Sequence, residues 1–229
     1  IELAFLEKPV QYSFEFLINN KIDKKRETKS KLKIWGSNEI HQEIFVDYNS
    51  ILSNDGFKNF LKSLHTYGFL VIRNCETNLK CVEKIANKIG YVRNSIFGGL
   101  WSFESDENKA DSAYTQEELR PHTDSTYSND APGLQLLLCC DYDAKGGDSI
   151  MVDGLKIAET IKKEDPQMYD LLTKINVKGN YIGDGVFLEA ERPIFKLNKN
   201  KEITQVSFNN YDRAPVSYTH LRAHETLLD

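Results

Sequence analysis

The order of helical and strand-like patterns along the chain is the feature that most constrains its fold. Apolar residues recur at helical spacing in 57–64 and in 82–89, and a glycine follows each of these two faces. Helices first and mostly strands afterwards predict an α+β fold with a sheet-based core. The predicted strands of the second half are apolar runs at 134–140, 148–152, 193–197 and 203–208.

Length, charge and cysteine usage narrow the class of protein. The chain has 229 residues, 40% of them hydrophobic, which suits one globular domain with its own core. A polar, basic run at 21–33 predicts a linker, so we divide the chain into a small N-terminal remnant with its linker (1–34) and a main domain (35–216). The net charge of -5 argues against a nucleic-acid partner, and no apolar run reaches the roughly 18 residues of a membrane helix. The four cysteines lack zinc-site spacing, and two of them are adjacent in an apolar run, which predicts reduced, buried thiols in a cytoplasmic protein.

Residues 120–127, with the sequence RPHTDSTY, contain a candidate metal motif. His122 and Asp124 are two positions apart, and on an extended segment such side chains point to the same side. Two histidines and one carboxylate on one face of Fe(II) leave coordination positions open for other ligands. The pair alone is a weak signal, because a hydrogen-bonded surface turn explains most His-x-Asp sequences.

The sequence around this motif makes the metal interpretation more specific. The order AYTQEELRPHTDSTY, PGLQLLLCC, GGDSIMVDG and FNNYDR resembles the 2-oxoglutarate-dependent oxygenases of the taurine dioxygenase superfamily. Within that superfamily it is similar to the carnitine-biosynthesis branch of trimethyllysine and γ-butyrobetaine dioxygenases. The resemblance implies a double-stranded β-helix of the jelly-roll type, truncated here at its C-terminus. It also implies Fe(II) as the metal and 2-oxoglutarate as the cosubstrate.

The resemblance assigns roles to individual positions. His122 and Asp124 match two iron ligands, Leu137 matches a position that lines the cosubstrate, and the hydroxyl of Ser149 matches one that bonds its carboxylate. Without the resemblance, the glycines before Ser149 would favour a simple hairpin turn. The positions that match substrate-binding residues are Phe97, Trp101, Asp111, Tyr114, Asn209 and Asn210.

These substrate positions indicate a quaternary ammonium compound. Aromatic faces hold such a cation, which has no hydrogen bond to donate, so Phe97, Trp101 and Tyr114 match a cage. An acid at Asp111 can pair with the α-ammonium of trimethyllysine, a group that γ-butyrobetaine lacks, while the two asparagines match the region that contacts the substrate carboxylate. The alternatives are that the aromatics are ordinary core or surface residues and that Asp111 is a solvated acid.

We therefore predict a dioxygenase that uses Fe(II) and 2-oxoglutarate to hydroxylate N6-trimethyllysine, a small-molecule substrate, at its β-carbon. Hydroxylation of γ-butyrobetaine and a non-catalytic binding module of the same fold are the alternatives, and a homodimer is compatible with all three.

The distal histidine and the 2-oxoglutarate arginine that the resemblance implies would lie beyond the end of this chain. His220 and His224 follow FNNYDRA too closely to occupy the distal strand. They lie in 217–229, a segment without lysine in a lysine-rich chain, which we interpret as a non-native tail. We therefore expect the chain as it stands to show no turnover.

Overall fold

A computed structural model describes residues 2–3, 10–20, 32–40, 42–104, 114, 118–143, 145–183 and 185–214. The chain divides into two compact units, residues 1–32 and residues 33–229. Across the described parts of both units, no helix is long and apolar enough to cross a membrane.

The first unit contains one short strand pair and one short helix. Strands β1 (Glu2–Leu3) and β2 (Val10–Gln11) pair antiparallel. Helix α1 (Phe14–Asn19) begins after Ser13, whose hydroxyl oxygen accepts the N–H of Phe16 at 3.1 Å. This N-cap satisfies one of the backbone donors that a helix start leaves unpaired.

The second unit opens with a parallel strand pair and three helices. A 3-10 turn at Gln42–Ile44 leads into β3 (Phe45–Asp47), which pairs in parallel with β4 (Val71–Arg73). The helices of this part are α2 (Tyr48–Leu52), α3 (Asn54–Tyr67) and α4 (Leu79–Ile89).

Helices α3 and α4 confirm the two helical faces predicted from the sequence. Phe60 is buried on α3, and Ile85 is buried on α4. Helix α3 ends at Gly68, whose φ of 79° is a left-handed conformation that a residue without Cβ adopts at little cost. Asn78 caps α4 by accepting the N–H of Cys81 at 3.1 Å.

Trp35 and Asp153 connect the early helices to the later part of the second unit. The indole N–H of Trp35 donates to the carbonyl of Tyr67 at 2.9 Å, and its backbone N–H donates to the Asp153 carboxylate at 2.9 Å. The same carboxylate accepts the N–H of Leu155 at 2.8 Å and so caps the next helix.

Two helices and two antiparallel hairpins follow. These elements are α5 (Gly154–Glu164), α6 (Pro166–Lys174), β5 (Val177–Gly183), β6 (Val186–Arg192), β7 (Phe195–Leu197) and β8 (Ile203–Val206). Strand β5 pairs with β6 and β7 pairs with β8, both antiparallel. Ala158, Ile194 and Phe195 form a buried cluster between helices α5 and α6 and the β7–β8 hairpin. The hairpin predicted at 193–208 is therefore confirmed.

The predicted strands at 134–140 and 148–152 are wrong for the structure as it stands. Neither segment forms a strand, and the described strands pair only as four two-stranded sheets. A strand requires a hydrogen-bonding partner, and these apolar runs find none among the described residues. Leu137 is 71% exposed and Ile150 is 59% exposed. Cys139 and Cys140, predicted to be buried, are exposed for the same reason. The chain is thus a mixed helix and sheet protein, as predicted, without a closed β-helix in the described parts.

Candidate metal and substrate site

The segment that contains His122 and Asp124 is held by hydrogen bonds to a distant part of the chain. We call residues 120–128 the motif segment. The N–H of Thr123 donates to the carbonyl of Phe208 at 2.8 Å, and the N–H of Phe208 donates to the Thr123 hydroxyl at 2.9 Å. This reciprocal pair lies between the two candidate ligands in sequence, so it fixes the backbone that carries both.

A second anchor lies directly after Asp124. The backbone N–H and the hydroxyl of Thr126 both donate to one carboxylate oxygen of Asp212, at 3.3 Å and 3.0 Å. The carbonyl of Asp212 in turn accepts the N–H of Asn180 on β5 at 2.8 Å. Strand β5 meets the motif segment closely at Gly179, where an added Cβ would lie 2.9 Å from the Thr126 hydroxyl oxygen and 3.0 Å from its carbonyl carbon.

His122 and Asp124 converge at the surface of the second unit. Nε2 of His122 lies 3.2 Å from Oδ1 of Asp124, and the two side chains are 21% and 39% exposed. The other ring nitrogen, Nδ1, lies 2.7 Å from the carbonyl oxygen of Arg120. A carbonyl can only accept, so Nδ1 carries a proton, and Nε2 is the ring nitrogen that faces the Asp124 carboxylate.

Tyr211 supports this orientation of the imidazole ring. Its ring packs edge-on against His122 with centroids 5.8 Å apart, and its hydroxyl accepts the N–H of Arg120 at 2.9 Å. Tyr211 therefore holds both the ring and the residue whose carbonyl accepts from Nδ1.

The geometry of the pair fits a shared metal ion. Two ligand atoms about 2.1 Å from an ion, at right angles to each other, are about 3 Å apart. The observed 3.2 Å between Nε2 and Oδ1 agrees with that value. The described residues contain no group of three histidine, cysteine, aspartate or glutamate side chains that could hold a metal. The residues that the structure describes thus offer two of the three donors of a facial triad there, and His220 and His224 lie outside them.

The three aromatic residues predicted for a cage do come together. The ring of Phe97 stacks on Trp101 with centroids 5.0 Å apart, and Tyr114 lies 6.2 Å from Trp101. Three further rings, which the sequence reasoning missed, extend this set. We call all six the aromatic cluster: Phe97, Trp101, Phe103, Tyr114, Tyr127 and Tyr181.

Tyr127 joins the aromatic cluster to the motif segment. Its ring lies 5.2 Å from that of Tyr181 on β5, and Tyr181 contacts Phe97 edge-on at 6.2 Å. Because Tyr127 follows Asp124 by three residues, the cluster adjoins the motif segment. The position of Tyr127 in RPHTDSTY is a sequence pattern from which its place in the aromatic cluster could have been predicted. No such pattern surrounds Tyr181.

The remaining predicted site residues are placed differently. Asn209 is buried, at 6% exposed, and Asn210 is exposed. Leu137 and Ser149 both lie on exposed stretches that form no strand. Asp111, on which the substrate prediction depends, lies outside the described residues.

Comparison with known proteins identifies the class to which this fold and site belong. The family described as taurine catabolism dioxygenase TauD, TfdA matches residues 31–226. The chain belongs to this family, which confirms the resemblance drawn from the motifs. The match also extends beyond residue 216, up to which the motifs had been traced.

Within the family, the chain is similar to trimethyllysine dioxygenases. It is 32% identical over 216 residues to the mitochondrial trimethyllysine dioxygenase of Homo sapiens, and the aligned segment covers 90% of this chain and 51% of that protein. It is 35% identical over 177 residues to the trimethyllysine dioxygenase of Meyerozyma guilliermondii, covering 74% of this chain and 44% of that protein. Dioxygenase str8 of Strobilurus tenacellus is 28% identical over 180 residues. The chain spans about half the length of these curated relatives.

Proposed function

We propose that this chain carries the metal-binding and substrate-binding part of a dioxygenase that hydroxylates N6-trimethyllysine at the β-carbon with Fe(II) and 2-oxoglutarate. The observation that carries the proposal is the convergence of His122 and Asp124, 3.2 Å apart, beside the aromatic cluster. Family membership and the trimethyllysine dioxygenases among the relatives support it.

His122 and Asp124 hold the iron in this proposal. When bound, Fe(II) supplies the chemistry that couples decarboxylation of 2-oxoglutarate to oxidation of the substrate by dioxygen. The protein's part is to orient its donors. The Arg120 carbonyl keeps the proton of His122 on Nδ1, and the bond from Thr123 to Phe208 holds the backbone between the two ligands.

The aromatic cluster holds the trimethylammonium group. A quaternary cation is attracted by ring faces at a gain of about 0.5–2 kcal/mol per well-placed ring. Trp101 is the centre of the cluster, because it contacts Phe97, Phe103 and Tyr114. The substrate carboxylate goes to Asn209 and Asn210, and its α-ammonium to Asp111. In this orientation the carboxylate and the α-ammonium lie at one end of the substrate and the trimethylammonium at the other, with the carbon chain between them.

Completion of a double-stranded β-helix is part of the same proposal. Segments 134–140 and 148–152 are apolar, of strand length and exposed in the structure. Pairing with further strands would bury these side chains, at a gain of about 25 cal/mol for each Å² of apolar surface removed from water. Leu137 and Ser149 would then line the 2-oxoglutarate site.

The proposal extends to the cellular setting. We propose a cytoplasmic enzyme that acts on a small molecule, with neither nucleic acid nor membrane as a partner. The trimethyllysine dioxygenases of Homo sapiens and Bos taurus are named as mitochondrial. Fractionation of cells that express the full-length gene product from its own start codon would decide between the two compartments.

Turnover by the full-length gene product tests which substrate the site takes. Asp111→Asn removes the charge that would pair with the α-ammonium, so we expect kcat/KM for trimethyllysine to fall at least tenfold while that for γ-butyrobetaine does not fall. Asp143→Asn, at an exposed acid outside the site, is the matched control. A wild-type preference for γ-butyrobetaine would favour the alternative substrate instead.

A non-catalytic binding module is the second candidate function, because the described residues supply only two metal donors. Anaerobic titration with Fe(II) and 2-oxoglutarate separates this candidate from the enzyme. The enzyme is expected to develop the visible charge-transfer band of an iron–2-oxoglutarate complex, and His122→Ala to abolish it. A module would bind trimethyllysine without forming any such band.

A further inference from the structure

Residues 208–212, which we call the anchor segment, hold the motif segment at three points. Three hydrogen-bonded pairs connect the two segments: Phe208 with Thr123, Tyr211 with Arg120, and Asp212 with Thr126. His122 and Asp124 lie between these contacts along the motif segment, so the anchor segment fixes the backbone on either side of each candidate ligand. Asn209 and Asn210, which are predicted to meet the substrate carboxylate, lie in the anchor segment itself. Two parts of the proposed site therefore share one short element.

Tyr211 is the residue of the anchor segment that contacts His122 itself. Its ring packs edge-on against the imidazole, with centroids 5.8 Å apart. Its hydroxyl accepts the N–H of Arg120 at 2.9 Å, and the carbonyl of Arg120 lies 2.7 Å from Nδ1 of His122. A shift of Tyr211 would therefore move the imidazole both through ring contact and through Arg120. Contacts of this kind behind a metal ligand orient it toward the metal.

The backbone of Tyr211 is in turn held by Asn209. Oδ1 of Asn209 accepts the N–H of Tyr211 at 2.9 Å. A backbone N–H can only donate, so this bond fixes which end of the amide is the oxygen, and the other end of the amide is a donor. Asn209 is 6% exposed, whereas Asn210 is exposed, so packing holds the first of the two asparagines in place. A carboxylate that accepts from the Asn209 amide would therefore bind to a side chain that also holds Tyr211.

We propose that Tyr211 is a positioning residue that couples binding of the substrate carboxylate at Asn209 to the orientation of His122. This inference rests on the proposed function, in which Asn209 receives the carboxylate. The bound carboxylate restricts the Asn209 side chain, which then restricts Tyr211, and Tyr211 orders Arg120 and the imidazole. A metal ion that binds afterwards meets a ligand that is already ordered and binds more tightly. The coupling is reciprocal, so bound metal raises the affinity for the substrate by the same factor.

Anaerobic Fe(II) binding to the full-length gene product, with and without saturating trimethyllysine, measures the coupling. The coupling factor is the Kd for Fe(II) without trimethyllysine divided by the Kd with it. We expect a factor of about five or more in wild type and below about two in Tyr211→Phe. That variant keeps the ring and the backbone N–H and loses only the hydroxyl that accepts from Arg120. Tyr169→Phe, on α6 with its ring against Phe195, is the matched control and should keep the wild-type factor.

Hydrogen exchange of the metal-free protein gives a second readout that does not involve iron. The amide of Tyr211 donates to Asn209, and the amide of Arg120 donates to Tyr211. Trimethyllysine should slow the exchange of both amides in wild type. In Tyr211→Phe it should still slow the amide at position 211 and no longer slow that of Arg120. The amide of Gly68, at the end of α3, is the internal control and should not change.

The possible failures separate this inference from the proposed function. Equal Kd values for Fe(II) with and without bound trimethyllysine in wild type would overturn the coupling and leave the proposed function standing. A wild-type coupling factor in Tyr211→Phe would show that the coupling does not pass through Tyr211 and would overturn its positioning role. Absence of trimethyllysine binding to wild type would contradict the proposed function, and the coupling would fall with it.

Discussion

Replacing Gly179 by alanine would place a methyl group against the chain directly after Asp124. The new Cβ would lie 2.9 Å from the hydroxyl oxygen, 3.0 Å from the carbonyl carbon and 3.1 Å from the carbonyl oxygen of Thr126. The backbone of Gly179 lies outside the left-handed region, so alanine would suffer from lack of space alone. Two of the three close atoms are backbone and cannot rotate away. The motif segment must therefore move off β5.

The expected loss in the free energy of unfolding follows from this overlap. Forcing an extra methyl group into a filled contact costs typically about 1–3 kcal/mol. The Thr126 hydroxyl cannot turn aside freely, because it donates to Asp212 at 3.0 Å. We therefore expect the free energy of unfolding to fall by about 2 kcal/mol, and Tm by about 4–8 °C for a chain of this size.

Urea unfolding followed by circular dichroism measures this loss, and hydrogen exchange locates it. Gly133→Ala is the matched control, because a Cβ there meets nothing within 4 Å. We expect the control to stay within about 0.5 kcal/mol of wild type. In Gly179→Ala, the amides of Thr123 and Thr126 should also exchange faster. Equal stability of the two variants would refute the idea that β5 positions the motif segment by close contact at Gly179.

Three further predictions concern other contacts. Asp212→Ala removes the acceptor of both Thr126 bonds and should lower the free energy of unfolding by about 1–3 kcal/mol in urea; a loss below about 0.5 kcal/mol would contradict the anchor. Asn78→Ala removes the cap of α4 and should cost about 1 kcal/mol, whereas Asn78→Asp should cost much less; equal losses would contradict the cap. Burial raises the pKa of the Cys75 thiol to about 11, so alkylation near pH 8 should modify exposed Cys139 first, and equal rates would contradict the burial. The pKa of Cys75 is higher in the folded chain than its ordinary 9.0, so the protonated thiol contributes stability that is complete below pH 9.0 and is lost as the pH rises towards about 11. Urea unfolding across that pH range would measure the loss.

The parts of the fold that could be predicted depend on local signals. Helix α3 and its end at Gly68 follow from apolar spacing and from the conformational freedom of glycine, both visible in a few consecutive residues. The segment 134–140 has the apolar character of a strand, yet forms none, because a strand also needs a partner and none of the described residues supplies one. Apolar runs therefore indicated which segments could be strands without indicating which of them pair.

The candidate site likewise has parts that local sequence patterns predict and parts that they do not. His122 and Asp124 could be proposed as ligands because the pair is a local pattern and the motifs around it resemble a known family. The anchors of that pattern could not, since Thr126 and Asp212 are 86 positions apart and each is an ordinary polar residue in sequence. Tyr181 contacts Phe97 and Tyr127 from β5, and no spacing of aromatic residues in the sequence records these contacts.

The most direct test of the account measures succinate release by the full-length gene product with Fe(II), 2-oxoglutarate and dioxygen. Wild type, His122→Ala and Asp124→Ala are compared with and without trimethyllysine, and His65→Ala, on α3, is the control for loss of a histidine. The account predicts succinate release that depends on trimethyllysine in wild type and in the control, and falls to background in both motif variants. Release at the wild-type rate from either motif variant would contradict the assignment of His122 and Asp124 as the iron ligands.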